Sequence, residues 1–153
     1  MASYTTVKTI ANNWIKKGNS ETNEFNKFIC YWIAFNCFYN HRTNMNSDRA
    51  GINKLKVDRA ILATYNSIVG LSTTELNALK SICPIWNLKN SSKNCTINNI
   101  SNFSEVVDVI YQIRCNLFHG GKGETDTRDI QVITNATPVL VIITKILVQT
   151  YLP

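Results

Sequence analysis

Residues 25–40 read FNKFICYWIAFNCFYN. Phe25, Phe28, Tyr31, Trp32, Phe35, Phe38 and Tyr39 recur at three- and four-residue spacing, the period at which side chains stack along an α-helix, and Ile29, Cys30, Ile33 and Ala34 fill the turns between them. A helix that is apolar on most sides has to be enclosed by other elements. The stretch therefore predicts a central helix from about Thr22 to His41, with Thr22 or Asn23 accepting hydrogen bonds from the amides of its first turn. Asn36, Tyr39 and Asn40 are polar groups on this helix that need partners once buried, either within the fold or in a cleft that binds substrate.

The same helical period continues outward in both directions. It predicts a helix over about Thr6–Lys17 stopped by Gly18, and a long one over Asp48–Val69 with Asp48 as N-cap and Gly70 as stop. Leu71–Ile82 follows, opened by the capping pattern Ser72-Thr73-Thr74-Glu75 and ended before Pro84. A helix capped by Ser104 comes next, then a last one from Asp126 or Thr127 to about Tyr151 that Pro138 kinks or divides. Between them, 87–102 is polar and rich in Asn and Ser, a loop on the surface. The expected fold is an all-α, up-and-down bundle of five to six helices without strands, although VLVIITKILV at 139–148 suits a strand by residue type.

At 153 residues, 44% apolar and 17% charged, the chain has the makeup of a single packed domain over 1–153. Its net charge of +6 favours encounter with polyanions, although the cations are scattered (Lys16-Lys17, Lys54, Lys56, Lys89, Lys93). Five cysteines without a C-x-x-C pair, beside two histidines, point neither to zinc nor to a disulfide framework, so reduced thiols and a cytoplasmic location are expected. The N-terminus lacks a signal pattern, and Lys145 interrupts the longest apolar run, PVLVIITKILVQTYL, so neither secretion nor membrane insertion is expected. The N-x-S/T triplets at Asn94, Asn99, Asn102 and Asn135, with Asn90, carry no glycosylation without a secretory route and read as compositional.

Chemistry concentrates at 111–124, YQIRCNLFHGGKGE. Val106, Ile110, Ile113 and Leu117 form one apolar stripe of this helix, and Val107, Tyr111, Cys115 and Phe118 a second, so it is covered on two sides, by the bundle or by another subunit. Five residues separate Arg114 from His119, about 140° around a helix, so the two point apart unless the chain turns at Gly120-Gly121 or a second chain completes the pair. An imidazole that titrates near neutrality can take a proton from a ribose 2′-hydroxyl or give one to a leaving 5′-oxygen, while a guanidinium holds the phosphate; no metal or cofactor is required. Asn116, one turn before His119, can bond the phosphate or orient the ring. Lys122 and the amides of Gly120, Gly121 and Gly123 add positive potential for an anion. HGGKGE is not a P-loop, because Asn116 and Gly123 stand where a Walker motif requires Gly and Ser or Thr.

The string Arg114-Cys115-Asn116-Leu117-Phe118-His119-Gly120 resembles the arginine, four-to-six residues, histidine signature of HEPN domains, over about a dozen residues. The aromatic helix and the helical layout are similar as well. The resemblance implies a homodimeric helical bundle whose two motifs face a shared cleft and cut RNA without metal, in phage defence or a toxin-antitoxin pair, with an antitoxin or regulatory protein as further partner. It makes Arg114 and His119 the catalytic pair and Asn116 a helper. Two positions depart from the family pattern: Cys115 stands where active members often carry a polar residue, and Gly121 where toxins silenced by nucleotidylylation carry a tyrosine.

A plainer reading of the same residues is a helix C-terminus whose cations meet the negative end of the dipole, with Arg114 paired to Asp108 or to an acid from another helix. The alternative function is a non-catalytic HEPN module that binds a nucleotide or a partner protein.

Overall fold

A computed structural model describes residues 4–119 and 125–152. Among the described residues the order is α1 (Tyr4–Ser20), α2 (Glu24–Thr43), α3 (Asp48–Leu55), α4 (Arg59–Leu71), α5 (Thr73–Ser81), β1 (Ile85–Trp86), β2 (Asn94–Cys95), α6 (Phe103–Phe118) and α7 (Thr127–Tyr151). The described residues are all-α apart from one small antiparallel hairpin, in which Ile85 faces Cys95 and Trp86 faces Asn94.

α2 is the central helix. Phe28, Tyr31, Phe35, Phe38 and Tyr39 are each at most 1% exposed, enclosed by α1, α3 and α7, with Tyr111 of α6 against Trp32. Aromatic edges meet faces along it: Trp32 and Phe35 lie 5.6 Å apart, Phe35 and Tyr39 5.2 Å, as the ring quadrupole favours. Asn23 caps its start by accepting from the Asn26 amide, and Asn44, in the left-handed conformation that Asn tolerates, ends it.

Several boundaries differ from the sequence expectation. α1 runs past Gly18 to Ser20; Gly18 is buried inside it, where a Cβ would come 2.7 Å from the ring of Tyr31, so the glycine permits two helices to touch rather than ending one. The long helix expected over Asp48–Val69 is two helices, because Asp58 accepts from the amides of Ala60 and Ile61 and starts a new one, which raises the number among the described residues to seven. Ser47, not Asp48, caps α3, and Asn102, not Ser104, caps α6. Ser72 stands at the N-cap of α5 without a capping bond, its hydroxyl donating back to Ile68. Gly70 falls one residue short of the end of α4.

Residues 139–148 are helical, and Pro138 stands inside α7 without dividing it. α7 is, among the described residues, the one helix long and apolar enough to cross a bilayer, yet half of its apolar window is buried in the fold. It packs against α1, α2, α4, α5 and α6, the makeup of a core helix and compatible with a soluble protein.

The asparagines of 87–102 hold a defined shape. Asn87 Oδ1 accepts from the amides of Lys89 and Asn90, Asn90 Oδ1 from Ser92, and Asn99 Oδ1 from Ser101, each a local turn closed by the side chain. Glu105 reaches back to accept from the amides of Asn98 and Asn99.

Candidate functional site

α6 stays helical through Phe118, and His119 follows as its C-cap with its amide donating to Cys115 O at 3.1 Å. Arg114 and His119 therefore leave the helix in the different directions that five residues impose.

Arg114 turns toward α2 and α3. Its Nη2 lies 2.9 Å from Asp48 Oδ2, while Asp48 Oδ1 accepts from Tyr39 Oη and Asn36 Nδ2, both at 2.9 Å. Burial pushes the Tyr39 phenol well up from its ordinary value, which keeps it a donor to the carboxylate. The rings of Trp32, Tyr111 and Phe118 surround the guanidinium at 5.7, 5.9 and 5.0 Å. The side chain keeps 24% of its surface, and its Nε is buried without a hydrogen-bond partner. Arg114 and the α2 pair Asn36 and Tyr39, distant from it in sequence, thus meet around one carboxylate.

His119 is exposed and lines a cleft of about 180 Å³ with Arg49, Lys89, Tyr111 and Asn116 among its walls. Arg49, from α3, lays its guanidinium 4.2 Å above the Tyr111 ring. Asp108 holds two cations, Lys56 at 2.5 Å and Arg49 at 3.4 Å. The Tyr111 ring is therefore near both guanidinium groups, Arg49 at 4.2 Å and Arg114 at 5.9 Å from its centre. Among the residues lining the cleft are His119 and Arg49, and Arg114 is not one of them.

Asn116, expected to touch phosphate or orient His119, is only 3% exposed. Its Oδ1 accepts from Gln112 Nε2 at 2.9 Å and from the Leu88 amide at 3.3 Å, and its Nδ2 donates to Trp86 O at 2.8 Å. The amide fastens the hairpin to α6, and both of its ends are occupied. Of the two pairings expected for Arg114, with Asp108 or with an acid from another helix, the second is present: Asp48 belongs to α3. Gly120, Gly121 and Lys122, expected to bind substrate, lie outside the described residues.

Asp48, Arg49 and Lys89 are the site residues that sequence reasoning missed. Arg49 belongs to the first turn of a short helix whose start was assigned to its neighbour, and Lys89 to a loop whose fold the spacing does not show. The signal that was available for Asp48 is the pair of polar groups, Asn36 and Tyr39, on an otherwise apolar helix. Among the described residues no three His, Cys, Asp or Glu side chains gather as a metal site, and the five thiols are free. Burial raises the thiols of Cys30, Cys37, Cys83 and Cys95 above their ordinary value. No protein-family model, curated protein or solved structure matches the chain.

Proposed function

We propose that the chain is an endoribonuclease of the HEPN type that works without a metal, with His119 as general acid and base and Arg114 stabilising the phosphate, in phage defence or a toxin-antitoxin system. The observation that carries this reading is an exposed histidine at a cleft that Arg49 and Lys89 also line, with a partly exposed guanidinium, held by Asp48, near the Tyr111 ring of the same cleft. In the reaction the ribose 2′-oxygen attacks the adjacent phosphorus and the 5′-oxygen of the next nucleotide leaves. A base takes the 2′-hydroxyl proton and an acid returns one to the leaving oxygen, so the products are a 2′,3′-cyclic phosphate and a 5′-hydroxyl. A guanidinium beside the phosphorane offsets its added charge.

Arg114 and His119 emerge on different sides of α6, so one phosphodiester meets both when two copies face each other across the ends of their α6 helices. Trp86, Leu88 and Phe118, each about half exposed at or near the motif, supply apolar surface for such a homodimer. The reading is tested on the ends of the RNA products: cyclic phosphate and 5′-hydroxyl support it, and 5′-phosphate ends refute it.

A second reading, a non-catalytic HEPN module that binds a nucleotide or a partner protein, is favoured by the ion pair that occupies Arg114 and by the anchoring of Asn116. It predicts ligand binding at the cleft with RNA left intact.

A further inference from the structure

We infer that the cleft beside His119 is a backbone grip for single-stranded RNA, in which Arg49 and Lys89 hold phosphates flanking the one that is cut; the inference rests on the nuclease reading. Two separate elements bring cations to this cleft beside His119: α3 brings Arg49 and the hairpin Lys89. Arg49 is preset for the purpose. Its guanidinium carbon lies 4.2 Å from the centre of the Tyr111 ring while half of its side chain stays exposed, so it can meet a phosphate with little loss of side-chain freedom. Asp108 neutralises it only in part, because that carboxylate sits closer to Lys56. Lys89 rises from a backbone that is fixed twice, by its amide to Asn87 Oδ1 and by the Leu88 amide to Asn116.

The wall chemistry selects phosphate over base. Both ends of the Asn116 amide and the Asn87 side-chain oxygen are already bonded within the protein, so these groups are not offered to a base, while Arg49 and Lys89 offer ionic contacts. Its volume of about 180 Å³ falls below the roughly 300–1,000 Å³ of pockets that swallow a whole ligand. A sugar-phosphate segment fits that space, and binding should be sequence-tolerant. A duplex presents its phosphates on a stiff, wide cylinder and is read across its grooves, whereas a single strand can bend a phosphate into a narrow cleft.

The test uses the full chain and a 2′-O-methyl oligoribonucleotide, which lacks the attacking hydroxyl and stays intact. Binding is measured over a salt series for wild type, Arg49→Gln, Lys89→Ala and, as a control on α1, Lys16→Ala, each verified by circular dichroism. Arg49→Gln and Lys89→Ala are each expected to weaken single-strand binding about tenfold and to lower the slope of log affinity against log salt by about one, with Lys16→Ala unchanged. With cleavable RNA the same two variants raise KM and retain kcat. Equal binding by all four proteins, or tighter binding of a duplex of the same sequence, overturns the inference. Cleavage that needs Arg114 and His119 but ignores Arg49 and Lys89 removes the grip and leaves the nuclease standing. Binding that needs Arg49 and Lys89 with no RNA cut keeps the grip and removes the nuclease.

Discussion

Arg114 Nη2 and Asp48 Oδ2 lie 2.9 Å apart across 66 residues of chain, and the same carboxylate ties Asn36 and Tyr39 of α2 to the motif helix. With Nε buried and unpaired, the guanidinium depends on Asp48 for its orientation. Asp48→Ala is expected to lose about 2 kcal/mol of stability in urea denaturation, because it strands a partly buried cation and removes the acceptor of the buried Tyr39 hydroxyl and of the part-buried Asn36 amide. Asp48→Asn, which keeps an acceptor for Tyr39, should lose less. Equal stability of wild type and Asp48→Ala would show that Arg114 is held by its aromatic neighbours alone.

Asn116 tests whether a motif residue acts on substrate or on the fold. Asn116→Ala is expected to cost about 2–3 kcal/mol by leaving Trp86 O, the Leu88 amide and Gln112 without their partner. Hydrogen exchange at the Leu88 amide should accelerate with it. Unchanged exchange there, alongside lost RNA cleavage, would return Asn116 to the role of a direct helper.

Two glycines should respond with opposite sign. Gly18→Ala places a methyl 2.7 Å from the Tyr31 ring and is expected to destabilise by about 1–3 kcal/mol. Gly70, inside α4 with nothing within 4 Å of an added Cβ, should gain about 0.5–1 kcal/mol on conversion to alanine. Thermal melts of the two variants decide this, and a shift in the same direction for both contradicts the packing described.

Asp58 gives the stability a pH dependence. Its carboxyl is held below the ordinary range, chiefly by the hydrogen bond from the Arg42 guanidinium, with smaller help from the amides of Ile61 and Ala60 and against the opposing effect of burial. The folded state therefore binds that proton less readily than the unfolded chain. The contribution is complete above the ordinary value, about pH 4, and is lost as pH falls through the depressed value. Asp58→Asn should flatten this acid limb of stability, and an unchanged limb would place the acid sensitivity elsewhere.

What the sequence disclosed and what it hid follow from the range of the forces involved. The aromatic period of 25–40 marks α2 as central because enclosure on every side leaves a local signature. Asp58 escaped notice because Ile52, Leu55 and Leu62, spaced three and seven residues apart, keep a helical rhythm across the break. The asparagines of 87–102 looked like composition because an Asx turn is specified by backbone geometry, not by spacing. At the site, the helix that carries Arg114 and ends at His119 was legible, and Asp48 announced itself only through the polar Asn36 and Tyr39 on α2, while Arg49 and Lys89 enter through tertiary contacts that no local pattern encodes.

A composite active site makes a prediction about mixing. If Arg114 of one copy and His119 of another serve one phosphodiester, Arg114→Ala and His119→Ala proteins, each inactive, recover activity when refolded together, because a mixed dimer contains one intact pair. Persistent inactivity of the mixture, with mixed dimers verified by mass, would place both groups in the same protomer.

The most direct measurement is the cleavage of end-labelled RNA by the purified chain in excess chelator, beside Arg114→Ala and His119→Ala. Wild type is expected to cut, and each variant to lose at least about a hundredfold in rate, the usual scale for a general acid-base group. Intact RNA after incubation with correctly folded wild type, or equal cutting by all three proteins, would contradict the assignment of a nuclease site to residues 114 and 119.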